Sequence, residues 1–159
     1  MAIEIERKFL VKERPFAMAK RSLKINQGYI LNEKSKVIRV REKGDDYFLT
    51  IKGNNIGISR LEYDFPISKD DAKELIIHFC KTTLIEKTRH YVEHKGHTWE
   101  VDEFHGTNDG LIVAEIELES EDEKFEIPNW IGEEVTQDER YYNMNLAVHP
   151  YTSWENPNK

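Results

Sequence analysis

The residues with most chemistry to offer come in like-charged doublets spaced by one position. Cations stand as Arg39-x-Arg41 and Lys87-x-Arg89, with Lys52 and Arg60 between them in the chain. Carboxylates stand as Glu4-x-Glu6 and Glu115-x-Glu117, with Asp102 ahead of the second pair. In a β-strand, residues i and i+2 point to the same face, roughly 6.5 Å apart. Each doublet therefore sets two like charges side by side. An ordinary wet strand face mixes Lys, Glu, Thr and Ser, whereas a face of one sign repels itself unless a ligand of opposite charge lies against it. The cationic faces suit a phosphate chain, because Arg offers a bidentate fork to phosphate oxygens and Lys a point charge. The carboxylates would repel the same chain unless a divalent ion lay between. Hard oxygen ligands suit Mg²⁺ or Mn²⁺, which bind through carboxylates together with phosphate oxygens and water. Metal and arginines together stabilise charge on a transferring phosphoryl group, and metal-bound water is a ready nucleophile. The chemistry implied is a triphosphate site with one or two divalent ions.

These doublets need a scaffold that turns their faces toward one another. Between the charges lie apolar residues: Ile3, Ile5 and Phe9; Ile38 and Val40; Leu49 and Ile51; Ile116 and Leu118. The alternation predicts strands over 2–12, 22–31, 36–43, 47–52, 58–67, 84–93, 98–104 and 111–119. Ser68 followed by Asp70, Asp71, Ala72, Leu75, Ile76 and Phe79 predicts an N-capped amphipathic helix over 69–80. Shorter helical pieces are expected over 15–21, 121–125 and 138–147. Hairpin-length connections favour antiparallel neighbours, and eight strands suffice to close a barrel. The expected fold is mainly β, within the α+β class: an eight-stranded antiparallel closed β-barrel. Its charged face lines the lumen, and a few helices pack over its oily outside. One domain over 1–159 is expected, with 151–159 a polar tail.

The 159 residues carry a formal net charge of -7 and one cysteine, Cys80. An acidic chain makes a poor general binder of nucleic acid, whose affinity rests on phosphate neutralisation by Lys and Arg. Any basic site must then be local and concave. A single cysteine fits a reducing compartment. With no apolar signal core and no run of membrane-spanning length, no membrane partner is expected, and the cytoplasm is the expected address. The state expected is a monomer or homodimer. His94 and His97, flanking Lys95-Gly96, read as a polar hairpin tip rather than a metal pair. His105 stands close behind Asp102, but Gly106 reads as the end of that strand. Cys80 reads as a small core residue. Tyr141, Tyr142 and Leu146 are expected to pack the last helix onto the barrel rather than to recognise a base. Arg140 either pins that helix to Glu134 or reaches a tunnel mouth.

The order of the motifs adds a further reading. Glu4-Ile5-Glu6-Arg7-Lys8 is followed by Gln27-Gly28-Tyr29, Arg39-x-Arg41, Thr50-x-Lys52, Arg60-x-Glu62 and Lys87-x-Arg89. Then come Asp102-x-Phe104, Glu115-x-Glu117, Glu134-Val135-Thr136 and Arg140-Tyr141-x-Asn143. This set resembles the CYTH family, also known as triphosphate tunnel metalloenzymes, down to about Pro150. The resemblance implies an eight-stranded tunnel that binds triphosphates end to end with a divalent metal. It implies Glu4, Glu6, Asp102, Glu115 and Glu117 as metal ligands, and Arg39, Arg41, Lys52, Lys87 and Arg89 as phosphate contacts, with Arg60 a further one. Lys8 would sit beside the reacting phosphates, Glu6 and Tyr29 would join it in catalysis, and Glu62 would orient a neighbouring cation. Tyr29 would hydrogen-bond Lys8 or the phosphate end. The family spans inorganic triphosphatases, thiamine triphosphatases and class IV adenylate cyclases. The chain most resembles the short bacterial members that hydrolyse inorganic tripolyphosphate. The competing readings are the cyclase, the thiamine triphosphatase and a non-catalytic polyphosphate or nucleotide sensor.

Overall fold

The computed structural model describes residues 2–80 and 83–155. Eight strands form the wall: β1 (Ile3–Val11), β2 (Arg21–Glu33), β3 (Lys36–Lys43), β4 (Asp46–Lys52), β5 (Ser59–Pro66), β6 (Ile85–His94), β7 (His97–Phe104) and β8 (Ile112–Glu117). Neighbours run antiparallel in the order β5-β4-β3-β2-β6-β7-β8-β1, and a pairing of β5 with β1 closes the ring. Tight turns make the hairpins, with Gly44, Lys95 and Gly96 in the left-handed region (φ 59°, 50° and 82°). Strand β1 serves both edges. It pairs with β8 through Glu6–Leu10 and with β5 through Ile3–Ile5.

Sequence alternation sets the direction of every side chain. On β1, Glu4, Glu6 and Lys8 share the inner face, which sends Ile3, Ile5 and Phe9 outward. Two covers bury most of the outside. Helix α1 (Lys69–Phe79), capped by Ser68 Oγ accepting from the Asp71 N–H at 3.1 Å, lies over β2, β3 and β4. Across β1, β6, β7 and β8, a cluster around Phe9, Val92, Trp99, Val101 and Ile116 packs beneath Phe125 and Trp130. The Phe125 and Trp130 rings meet Trp99 edge-on at 5.8 and 5.9 Å. This second cover is an irregular stretch, and no helix forms over 121–125. The outer wall of β4 and β5 has less cover, leaving Ile3, Ile51, Leu61, Tyr63 and Phe65 exposed.

Three further details depart from expectation. A ninth strand, β9 (Ile131–Glu134), pairs with the C-terminal half of β1. It is four residues long and contains Gly132, where a Cβ would come within 3.2 Å of the Leu10 carbonyl oxygen. The expected helix over 138–147 breaks into a 3-10 turn (Glu139–Tyr141) and the one-turn α2 (Asn143–Leu146). Between them Tyr142 is extended (φ -71°, ψ 133°). The piece over 15–21 shrinks to a 3-10 turn at Phe16–Met18.

The C-terminal segment closes one end of the barrel. Tyr141, Leu146 and Tyr151 pack against Tyr29, Val37, Ile85, Phe104 and Val113, which are inward residues by strand parity. The start of the expected loose tail is docked: the Tyr151 N–H donates to Asn108 Oδ1 at 2.8 Å, and Trp154 meets the Tyr151 ring at 5.1 Å. Residues 156–159 of that tail lie outside the described residues. Among the described residues, no helix is long and apolar enough to cross a membrane.

Candidate active site

Inside the barrel is a pocket of about 750 Å³, solvent at its mouth included. All the candidate site residues except Asp102 and Glu117 line it: Glu4, Glu6, Lys8, Tyr29, Arg39, Arg41, Lys52, Arg60, Lys87, Arg89 and Glu115. The register explains the convergence. Arg39 stands opposite Tyr29 on β2 and Thr50 on β4, Glu4 opposite Arg60 on β5, and Lys8 opposite Glu115 on β8.

Each cation has its own support. Arg89 grips Asp102 through Nε at 2.8 Å and Nη2 at 3.0 Å, and reaches Glu100 at 3.2 Å. Lys87, fully enclosed, donates to Asp102 Oδ2 at 2.7 Å and to Asn143 Oδ1 at 3.0 Å. Arg41 Nε donates to Gln27 Oε1 at 2.8 Å, and Gln27 Nε2 donates to the Tyr29 hydroxyl at 2.9 Å. Tyr29 is thus tied to Gln27 rather than to Lys8. Glu62 does face cations, Arg39 at 3.6 Å and Lys52 at 3.8 Å. Arg39 is 4% exposed; its Nη2 donates to Thr50 Oγ1 at 3.3 Å, while its buried Nε has no hydrogen-bond partner among the described residues. Arg60 spends its fork on the Gly53 carbonyl (2.7 and 3.1 Å), fastening the β4–β5 loop at the rim.

Burial and mutual repulsion set the charges. Burial pushes the Lys87 ammonium down to about 7 and Lys52 to about 8, each partly offset by Asp102 or Glu4 respectively. Arg41 falls to about 9 through burial and the neighbouring Arg39 and Arg89, and is still charged at neutral pH. Lys8 goes the other way: burial opposes its charge, but Glu115 and Glu6 outweigh it.

The carboxylates divide into two sets. Burial, Glu115 and Glu4 hold Glu6 well above the usual carboxylate range. Glu115 is also buried, yet Lys8, Arg89 and Lys87 together with a hydrogen bond from Glu6 keep it well below that range. Glu6 thus favours its protonated form and Glu115 its ionised one, both at the pocket wall with Glu4. Asp102 stands outside the lining with both oxygens taken by Lys87 and Arg89, and those cations overcome its burial to keep it ionised. Glu117 is exposed at the end of β8, opposite Glu6 across the strand pair. Among the described residues, no three acidic, histidine or cysteine side chains form a ready-made metal cage.

Sequence reasoning missed the C-terminal contribution. Thr136, Tyr142, Asn143 and Met144 line the pocket, as do Asn55 and Gly57 of the β4–β5 loop. Tyr142, expected to serve packing alone, places its ring 5.3 Å from Lys8 Nζ; Tyr141 and Leu146 do serve packing. The available signals were Thr136 and Asn143, which end the late Glu134-Val135-Thr136 and Arg140-Tyr141-x-Asn143 motifs. His105 is bonded to Thr88 at 2.8 Å, on the outward side of β6, away from the carboxylates. His97 pairs with Glu123 at 2.7 Å beside the hairpin tip. Arg140 pins Asp138 (2.6 Å) instead of Glu134, which Arg7 occupies.

A barrel whose inner face carries these charges in this order can be compared with known proteins. A model of the CYTH domain matches residues 2–147. The chain belongs to the CYTH domain family. Among CYTH relatives, an inorganic triphosphatase of Acetivibrio thermocellus is 45% identical over 155 residues, covering 98% of this chain and 99% of its own. An inorganic triphosphatase of Nitrosomonas europaea is 37% identical over 149 residues, covering 91% and 97%. A crystal structure of an inorganic triphosphatase superposes with a TM-score of 0.68 at 35% identity, covering 93% of this chain and 96% of that one. The CYTH motifs quoted from the sequence thus map onto one closed barrel.

Proposed function

We propose that the protein is an inorganic triphosphatase, hydrolysing tripolyphosphate to diphosphate and orthophosphate with Mg²⁺ or Mn²⁺ in the cytoplasm. The observation that carries this reading is Arg39: a buried guanidinium in a cation-lined pocket, one of whose donors has no partner among the described residues. Buried donors are nearly always paired, by protein or by ordered water, and among so many cations an oxygen of a bound anion is the acceptor this reading supplies. Six further cations line the pocket, more than one phosphate needs, while a neutral or cationic substrate would leave them unbalanced.

The donor set suits a hard divalent ion. Mg²⁺ commonly binds through one or two carboxylates, with phosphate oxygens and water completing the shell. Glu6 and Glu115 would provide that pair, an ion displacing the proton that Glu6 favours, with Glu4 beside them and Glu117 further along β8. When bound, such an ion neutralises phosphate charge and activates water. Arg39, Arg41, Lys52, Lys87 and Arg89 hold the phosphate chain and stabilise charge on its equatorial oxygens. Lys8, bridging to Glu115 at 3.4 Å, stands where carboxylates and phosphates meet and neutralises the departing diphosphate. In the reaction, a water oxygen bonds to the terminal phosphorus as the bridging P–O bond breaks. Asp102 acts as counter-charge to Lys87 and Arg89, and Arg60 acts on the rim loop.

The test is product analysis on tripolyphosphate, ATP and thiamine triphosphate with either metal. Equimolar orthophosphate and diphosphate from tripolyphosphate is the expected result. Cyclic AMP with diphosphate from ATP would make the chain a cyclase, and preference for thiamine triphosphate would reassign its substrate. Tight binding of unchanged tripolyphosphate would make it a sensor.

A further inference from the structure

The run Tyr141-Tyr142-Asn143 belongs to the C-terminal segment, outside the eight strands of the wall, yet it meets two of the pocket lysines, Lys8 and Lys87. The Tyr141 carbonyl accepts from Lys8 Nζ at 3.5 Å, the Tyr142 ring lies 5.3 Å from the same nitrogen, and Asn143 Oδ1 accepts from Lys87 Nζ at 3.0 Å. Lysine is a point charge on a flexible stem, so its direction must come from its partners. An ammonium has three donors. Asp102 and Asn143 take two of those on Lys87, which leaves one for the pocket. Asp102 is itself gripped by Arg89 and draws the ammonium toward that side. Asn143 supplies a second hold from the C-terminal segment. Its amide is neutral, so it fixes direction without cancelling charge that the phosphates need. It has no capping duty, because the N-cap of α2 is Tyr142 and makes no side-chain capping bond.

We infer that Asn143 is a positioning residue: its side-chain oxygen aims the Lys87 ammonium at the phosphate chain, so turnover requires the C-terminal segment to be docked. This rests on the triphosphatase reading. The test is a double-mutant cycle in the full chain, pairing Asn143→Leu with Lys87→Met and measuring tripolyphosphate turnover and melting temperature. Misplacing a reacting group costs on the order of 100-fold. Asn143→Leu should therefore lower kcat by roughly 10- to 100-fold with KM within about threefold. On the Lys87→Met background it should cost nothing more. Asn143→Asp keeps the acceptor and should recover most of kcat while raising KM, since it adds a negative charge. Asn143→Ala replaces Asn143→Leu in the cycle if the leucine variant melts early. Wild-type kcat in the Leu or Ala variant, an additive cycle, or an Asp variant as slow as Leu would each overturn the inference. If the wild-type chain releases no orthophosphate, the triphosphatase reading fails and takes this inference with it. An active wild type with additive losses sinks this inference alone.

Discussion

Asp102→Asn separates two jobs that a buried carboxylate in this barrel can do. Asp102 is fully enclosed and accepts from Lys87 Nζ at 2.7 Å and from Arg89 Nε and Nη2 at 2.8 and 3.0 Å. The substitution preserves shape, removes the charge, and points an amide at two cations. Breaking a buried ion pair by deleting one partner costs about 3–5 kcal/mol. Because Glu100 still reaches Arg89 at 3.2 Å, the lower end applies. For a chain of this length one kcal/mol corresponds to about 3 °C, so the melting temperature should fall by roughly 10 °C. The assay is thermal unfolding in chelator, without and with tripolyphosphate. The polyanion should raise the melting temperature more in the variant than in the wild type, because it meets cations lacking their counter-charge. A variant that melts within about 3 °C of wild type in chelator, yet loses its stabilisation by Mg²⁺, would refute the reasoning and make Asp102 a metal ligand.

Glu6→Gln should leave metal-free stability nearly unchanged, because the carboxyl already favours its proton there. It should cut metal-dependent turnover on the order of 100-fold; thermal unfolding and phosphate release measure the two effects. Arg39→Gln removes charge-assisted hydrogen bonds worth about 1.5–3 kcal/mol each, so metal-free calorimetry should show tripolyphosphate binding about 10- to 100-fold weaker. Lys87 and Lys52, depressed to about 7 and about 8, are partly neutral at slightly alkaline pH. Binding a polyanion near pH 8 should therefore take up protons, read from calorimetry in buffers of different ionisation heat. The sign for stability follows from the same shifts. The unfolded chain, with lysines at about 10.4, binds more protons than the folded chain across the window above about 7. These two groups should thus make the ligand-free protein more stable as pH rises through that window. A melting temperature that falls with pH in variants lacking other titrating groups there would contradict it.

The wall and most of its lining were legible because a two-residue period leaves no freedom. Once Ile38 and Val40 face out, Arg39 and Arg41 face in. What the period cannot say is which inward charges are spoken for. Asp102 and Glu115 look alike as letters, and only the cross-strand neighbours turn one toward Arg89 and the other toward the pocket. The 138–147 stretch misled because its composition allows a helix, whereas docking of Tyr141 and Leu146 into the barrel end holds Tyr142 extended. That break is what delivers Tyr142 and Asn143 to the site. Strand β9 was too short to show a period, and nothing in the sequence ties its Gly132 to the Leu10 backbone it lies against.

The ring is closed by an unequal seam. Strands β1 and β5 meet over three residue pairs, Ile3–Leu61, Glu4–Arg60 and Ile5–Ser59, whereas β2 pairs through Ile25–Glu33 with the whole of β3. Contacts this short, made across nearly sixty positions of chain, form late in folding and part early in thermal breathing. The join therefore behaves as a zip fastener's last teeth. When it parts, Glu4 leaves with one flap and Arg60 with the other, splitting the acidic end of the cavity from its rim. Amide exchange of the Ile3–Ile5 and Ser59–Leu61 backbone should accordingly outpace that of the β2–β3 hairpin, and bound polyanion should slow it by riveting the two flaps together.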